Sequence, residues 1–226
     1  MVRRASRFHG GVSSFGRLLC AAAMAIGILS AQVPAVSVAQ DQVTLPVIPP
    51  PAAVTLNPRT TALLMLDFFS PLCDAPGPCQ DSLAPMAAML NRAREAGVLV
   101  IFTMPDRPGV SIEAAVAPRP DELDIAKPRL ETGFDLMQDT LQAKGISTLI
   151  VTGVSAPLAM YTTWEAAGYG YTMVELEDGI PGSPVATAIT EYQSLNQPVA
   201  NNPDNTPLKP NAATLSRSDL ITFSGL

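Results

Sequence analysis

Residues 148–176 read TLIVTGVSAPLAMYTTWEAAGYGYTMVEL, and they carry the clearest fold signal in the chain. An apolar run at 148–152 is followed by a turn, by helical spacing of apolar residues at 156–167, and by a second apolar run at 171–176. Short apolar runs without polar alternation are typical of buried parallel strands. The stretch therefore predicts two parallel strands joined by a helix.

The same alternation of strand and helix patterns extends toward the N-terminus. Each predicted helix in that part is followed by glycine, which is favoured directly after a helix because it tolerates left-handed backbone angles. Alternating strands and helices form right-handed crossovers, so we predict an α/β domain whose parallel sheet is covered by helices on both faces. The further predicted strands are 61–66, 98–103 and 123–126, and the further predicted helices are 82–96 and 132–144.

The N-terminal residues 1–39 differ in character from the rest. They contain four arginines and no acidic residue, an apolar run at 18–29, and small residues at Ser37 and Ala39. This order is typical of a secretory signal peptide. The apolar run is shorter than the roughly 20 residues that span a bilayer. We predict export to the periplasm or the cell exterior, with no membrane association after cleavage; an uncleaved anchor or a disordered arm is the alternative.

Two further segments are predicted to lack regular packing. The proline-rich residues 40–59 are expected to form an extended lead-in to a single domain at 60–226. Residues 197–211, rich in proline and asparagine, are expected to form a loop, and 218–223 a short edge strand.

The charge of the chain excludes one class of partner. Cleavage after residue 39 removes four of the 14 basic residues and none of the 20 acidic ones, which lowers the formal net charge from −6 to −10. A strongly negative domain repels phosphate backbones, so we expect no nucleic-acid partner. The expected partner is a small-molecule substrate or ligand.

Histidine and cysteine usage limits the chemistry. The one histidine, His9, lies in the predicted signal peptide, so the mature chain has no Ser-His-Asp triad and no histidine-based zinc site. We expect neither a metal nor another cofactor. Cys73 and Cys79 are expected to form a disulfide in an oxidising compartment. The alternative is that one of these two cysteines serves as a displaced nucleophile.

Three features are predicted to meet at the carboxyl ends of the strands, where open parallel sheets bind ligands. Asp67 ends the first strand, Lys127 follows the strand at 123–126, and the turn at 153–157 leads into a helix. The first amides of a helix attract anions. An acid, an amine and a set of N–H groups form a plausible site, although an aspartate after a strand is often only a turn residue.

Residues 61–67 (TALLMLD) and 126–180 resemble the isochorismatase-like cysteine hydrolase superfamily, over about residues 60 to 178. The resemblance implies a three-layer α/β/α fold with a Rossmann-like six-stranded parallel sheet, and a homo-oligomer. It places Asp67 at the catalytic aspartate and Lys127 at the catalytic lysine.

The chain departs from this superfamily at the nucleophile. The position of the catalytic cysteine falls on Ala159, and an alanine methyl group cannot attack a carbonyl. The isochorismatase branch itself carries glycine there and cleaves a vinyl ether without a covalent intermediate. The zinc-dependent nicotinamidase branch uses histidines that the mature chain lacks.

The resemblance also suggests binding positions at Phe69, Ser155 and Thr163. Phe69 stands where many relatives carry glutamine, so a more apolar cavity entrance is expected. Backbone amides near Ser155 and Ala159 are expected to hold developing negative charge, next to a strained or cis peptide bond at Val154–Ser155. Two functions follow: a hydrolase without a cysteine nucleophile, or an inactive relative that binds a small molecule or a protein. A purely structural exported domain is the third alternative.

Overall fold

The computed structural model describes residues 44–128 and 132–225. The predicted signal peptide lies outside the described residues. In the described part, ten strands and four α-helices alternate along the chain. The strands are β1 (Val54–Leu56), β2 (Thr61–Leu66), β3 (Phe69–Ser70), β4 (Leu99–Pro105), β5 (Ser111–Ile112), β6 (Leu123–Lys127), β7 (Thr148–Gly153), β8 (Thr172–Leu176), β9 (Ala213–Ser216) and β10 (Ile221–Phe223). The helices are α1 (Pro78–Ala96), α2 (Phe134–Ala143), α3 (Ala156–Gly168) and α4 (Pro184–Leu195).

Six of the strands form one parallel sheet in the order β6-β4-β2-β7-β8-β9. The chain builds outward from β2 through β4 to β6, and then returns to the other side of β2 with β7, β8 and β9. The strand order therefore reverses between β2 and β7, which is where such sheets open a crevice at their carboxyl ends. This confirms the predicted six-stranded parallel sheet.

The core lies on both faces of this sheet, because successive residues of β2 point in opposite directions. Ala62, Leu64 and Leu66 pack on the face covered by α2 and α3, and Leu63 and Met65 on the face covered by α1. Burying each leucine contributes about 1.5–3 kcal/mol. All six residues of β2 are buried, which explains its uninterrupted apolar sequence and confirms the three-layer architecture.

The structure corrects three expectations about element placement. α1 begins at Pro78 rather than at 82, because proline suits the first helical position, where no intrahelical N–H bond is needed. The proline-rich lead-in contains a strand, since β1 pairs in parallel with β10. β10 therefore belongs to this separate two-stranded sheet and not to the edge of the main sheet. The sixth sheet strand, β9, and α4 were not predicted.

Candidate active site

Asp67 follows the last residue of β2, at the reversal of strand order. Its backbone adopts a left-handed conformation, with φ of 59°. Aspartate visits this region more readily than most residues, but such angles carry strain and cluster at functional sites. The Asp67 amide donates to the carbonyl of Thr103 on the neighbouring strand β4, at 3.0 Å, which fixes the turn.

Lys127 ends β6, two strands away from Asp67 in the sheet. Neighbouring strands lie about 4.8 Å apart, so a side chain must cross the end of β4 to join the two. The long lysine side chain does so: its Nζ lies 2.8 Å from Asp67 Oδ2. Lys127 is 1% exposed and Asp67 7%, so the ion pair is almost fully removed from water.

Two further residues hold this ion pair in place. The Thr103 hydroxyl donates to Asp67 Oδ1 at 2.7 Å, so each carboxylate oxygen accepts one hydrogen bond. Gly133, with φ of 72°, lies against the lysine stem, and a Cβ there would stand 2.9 Å from Lys127 Cδ. Any larger residue at 133 would therefore press on the Lys127 side chain. The carboxylate is therefore fixed by three elements of the fold.

A cavity of about 500 Å³ opens above the ion pair, within the usual size range of small-molecule sites. Four of the predicted site residues line it: Asp67, Lys127, Ser155 and Phe69. Most of the other walls are apolar, as expected from a phenylalanine at position 69. The remaining lining residues are Leu72, Pro105, Arg107, Thr132, Val154, Pro157, Leu158 and Tyr161.

The turn before α3 forms one wall of the cavity. Ser155 caps the helix, and its Oγ accepts the amide of Leu158 at 3.4 Å. The first N–H groups of a helix have no intrahelical acceptor. Here Pro157 carries no N–H and the Leu158 amide donates to Ser155 Oγ, which leaves the amides of Ser155 and Ala156; of these two residues, Ser155 lines the cavity. The Ala159 amide is not among them, because it donates to the Ser155 carbonyl at 3.2 Å. Nor is Val154–Ser155 a cis bond: within the described residues, the cis peptide bond lies at Ser70–Pro71.

Ala159 and Thr163 do not line this cavity in the described part of the chain. Ala159 is fully buried in the core between α3 and the sheet. The Thr163 hydroxyl donates to Glu175 Oε1 on β8, and the Ser194 hydroxyl of α4 donates to the same oxygen at 2.7 Å. Thr163 thus joins α3 to a buried acid, and the structure does not bring it to Asp67.

Glu175 is the centre of a second group of acidic side chains. It is fully buried, and burial raises its pKa, although the two hydroxyl donors act in the opposite direction. Across a small gap, Glu191 of α4 faces Glu175 and Glu177. Burial first, and then the charges of Glu177 and Glu175, raise the pKa of Glu191 to about 7.

A disulfide joins Cys73, in the loop after β3, to Cys79 in the first turn of α1, with Cα atoms 5.0 Å apart. This pairing is the predicted one. Leu72, which directly precedes Cys73, lies in the cavity wall. Because both sulfurs are bonded to each other, neither is available as a nucleophile in this state.

The described residues contain no group of three or more His, Cys, Asp or Glu side chains placed to hold a metal ion. Within the same residues, no helix is long and apolar enough to cross a membrane. The arrangement at Asp67 is suited to proton transfer: a fixed carboxylate, a neighbouring ammonium group and the amide of Ser155 face one cavity.

Thr103, Gly133 and Arg107 are site residues that the sequence analysis did not identify. The sequence indicates a site role for Thr103 only weakly, because Thr103 is a polar residue at the end of the predicted strand 98–103, the next predicted strand after the one that Asp67 ends. It gives no such indication for Gly133 and Arg107, because their roles depend on which loop folds over which side chain.

The family model for the isochorismatase domain matches residues 61–202 of this chain. Among solved structures, an isochorismatase family protein from Burkholderia thailandensis is similar over 75% of this chain and 97% of its own, with 19% identity and a TM-score of 0.56. N-carbamoylsarcosine amidase from Thermoplasma acidophilum is similar over 71% and 97%, with 18% identity and a TM-score of 0.55. An isochorismatase from Pseudomonas putida covers 74% and 93%, with 18% identity and a TM-score of 0.58.

No curated protein matches the chain. At these identities the solved structures show a shared fold and do not transfer an activity. The family model matches more than half of the chain, in the region that contains β2, the Asp67–Lys127 pair and α3. The chain therefore belongs to the isochorismatase family.

Proposed function

We propose that this chain is an exported hydrolase of a small molecule that works without a cysteine nucleophile. Asp67 is its general acid-base, and Lys127 is the electrostatic partner that keeps the carboxylate in place and balances its charge. The observation that carries the proposal is the buried Lys127–Asp67 contact of 2.8 Å at the floor of a cavity of about 500 Å³. Burying an ion pair costs free energy, and this pair faces a cavity that a ligand can enter. A functional role of the pair accounts for that cost.

A single carboxylate can both accept and return the proton that such a reaction transfers. Asp67 takes a proton from a water molecule as the water oxygen bonds to an electrophilic carbon of the substrate. The bond to the leaving group then breaks, and the leaving atom receives the proton from Asp67. For an enol ether the order is reversed: a protonated Asp67 gives its proton to the enol carbon, and water adds to the resulting cation and returns a proton to Asp67. The hemiketal so formed then breaks its bond to the ether oxygen, giving a carbonyl compound and an alcohol.

Negative charge that develops on a substrate oxygen has two stabilising neighbours in this proposal. One is the ammonium group of Lys127, and the other is the amide N–H of Ser155, directly before α3. Both lie along the same cavity. Removing one donor of this kind typically costs 10²–10³ in rate.

A binding module without catalysis is the second candidate. The observation that favours it is Ala159, which offers no nucleophile and is fully buried in the core. In that case the cavity would hold a ligand, and Asp67 would serve only to orient it. A homo-oligomer is part of either proposal, and light scattering of the purified mature chain measures it.

Export is also proposed rather than established. The signal-like residues 1–39 and the disulfide between Cys73 and Cys79 support it. Mass spectrometry of the secreted protein should find a mature N-terminus near Gln40. Material that keeps residues 1–39 would contradict cleavage at this site.

The deciding experiment compares the wild type with Asp67→Asn on a panel of small amides and enol ethers. We expect the wild type to hydrolyse members of one class and the variant to lose at least 10²-fold in kcat/KM, the usual contribution of a general acid-base. Asp124→Asn is the matched control, because Asp124 is an exposed aspartate on the same strand as Lys127. Ligand binding without turnover by the wild type would favour the binding module.

A further inference from the structure

Arg107 follows β4 and lines the same cavity as Asp67. Its guanidinium carbon lies 5.3 Å from the ring centroid of Phe69, over the ring. Phe69 is 8% exposed and so provides a fixed surface for the stacked guanidinium. Stacking on an aromatic face orients an arginine and leaves its N–H groups free at the edges.

The charges of the described part of the cavity lining do not cancel. Asp67, Lys127 and Arg107 are its charged side chains, and the first two form an ion pair at 2.8 Å. Among the described residues, no carboxylate oxygen lies within 4.0 Å of the Arg107 guanidinium. The described lining therefore carries one uncompensated positive charge, in a chain whose formal net charge is −6.

The rest of the lining is mostly apolar, and this indicates that the ligand carries an apolar group in addition to a negative charge. Leu72, Pro105, Val154 and Leu158 supply aliphatic surface, and Tyr161 adds an aromatic ring. Such walls favour an apolar body, because burying it removes apolar surface from water. A neutral sugar or another highly polar molecule would lose hydrogen bonds to water against these walls.

We infer that Arg107 determines substrate specificity, by binding the carboxylate of a small apolar monocarboxylic acid whose scissile bond lies at Asp67. The position of the scissile bond rests on the proposed function; the recognition of the carboxylate does not. A planar guanidinium matches a planar carboxylate with two parallel N–H···O bonds. One surplus positive charge balances one carboxylate, whereas a phosphate monoester carries close to two negative charges and a third acceptor oxygen.

Equilibrium binding tests this inference without any turnover. Benzoate, benzamide and phenyl phosphate are titrated into the mature protein, with calorimetry or NMR shifts as the readout. We expect benzoate to bind about tenfold or more tightly than benzamide, the size of a hydrogen bond to a charged group. Arg107→Met should remove this preference while leaving the affinity for benzamide unchanged, and Arg107→Lys should retain part of it, since the charge stays and the two-pronged geometry is lost.

Arg59→Met is the matched control, because Arg59 lies just before β2, at the end of the sheet opposite to the cavity. It should bind the three probes as the wild type does. Equal binding of benzoate and benzamide, no binding of either, or a preference that survives in Arg107→Met would overturn the inference. Tighter binding of phenyl phosphate than of benzoate would overturn the assignment to a carboxylate. The benzoate preference of the wild type and its loss in Arg107→Met are measured by binding alone, whereas loss of hydrolysis in Asp67→Asn is measured by turnover alone, which separates failure of this inference from failure of the proposed reaction.

Discussion

Lys127 Nζ lies 2.8 Å from Asp67 Oδ2, although the two residues end strands that are not neighbours in the sheet. The lysine side chain crosses the end of β4 to reach the carboxylate. Thr103, at the end of β4, donates to the other oxygen of Asp67. Three parallel strands thus converge on one buried carboxyl group, and the stability of the domain is coupled to this site.

Removing one charge of this pair should cost more than removing both. Lys127→Met leaves a buried carboxylate without its cation, and we expect a loss of about 3–5 kcal/mol in the free energy of unfolding. Asp67→Asn leaves the buried cation and should cost a similar amount. The double variant Asp67→Asn/Lys127→Met should recover much of either loss, because no buried charge remains. Urea denaturation measures all three, and simple additivity of the two single losses would contradict the tight coupling seen here.

Gly133→Ala should disturb the site through Lys127. Both this variant and Gly145→Ala place a side chain on a left-handed backbone, with φ of 72° and 65°, so both should lose about 1 kcal/mol or more. Only the new Cβ at 133 meets a neighbour, at 2.9 Å from Lys127 Cδ, while the one at 145 meets none among the described residues. Gly133→Ala should therefore lose activity or ligand affinity, and Gly145→Ala should keep both. Equal ligand affinity in the two variants would argue against this contact.

The stability of the domain should fall as the pH rises from about 4.5 to 7, because of Glu191. The pKa of this group is raised from 4.5 to about 7 in the folded state, first by burial and then by Glu177 and Glu175. Between these values the unfolded chain releases a proton that the folded chain keeps, so unfolding becomes more favourable with pH. Above pH 7 both states are ionised and this contribution stays constant.

Glu191→Gln should remove this dependence and should be more stable than the wild type above pH 7. The unfolding free energies of the two proteins, measured by urea denaturation from pH 4 to 8, give the difference directly. Glu95→Gln, an exposed position on α1, is the control and should follow the wild type. The charge of Glu177 is one cause of the raised pKa of Glu191, so Glu177→Gln should lower that pKa. Parallel curves for wild type and Glu191→Gln would refute this assignment.

The disulfide should contribute measurably to stability despite its short loop. Cys73 and Cys79 are six residues apart, and closing a loop of this size stabilises the folded state by about 2 kcal/mol in the chain-entropy model. Cys73→Ala/Cys79→Ala and the chemically reduced wild type should both lose about this amount. Since Leu72 directly precedes Cys73 and lines the cavity, both should also bind apolar ligands more weakly. Unchanged stability and binding after reduction would contradict this role.

The sequence by itself determined the architecture, because the apolar runs report burial directly. β2 and β7 are continuous apolar segments since both faces of the sheet are covered, and their bounds were predicted to within one residue. Asp67 and Lys127 were also predictable, as polar residues placed where such strands end. β9 was not, since ATLS is short and half polar, and nothing local distinguishes it from a loop. Its burial is conferred by pairing with β8 and by the cover of α4.

Only the tertiary structure decided which polar groups meet. Thr163 was expected at the ligand, but the helical turn directs its hydroxyl to Glu175 on β8, a contact between residues that share no sequence pattern. Thr103 reaches Asp67 because parallel pairing aligns the ends of β2 and β4, and register is a property of two strands together. Arg107 lies over Phe69 because the chain after β4 returns to β3, with which β5 pairs. Hydrophobic periodicity is local and is read from one segment at a time, whereas a hydrogen bond or a stacked cation depends on two segments that the chain alone does not align.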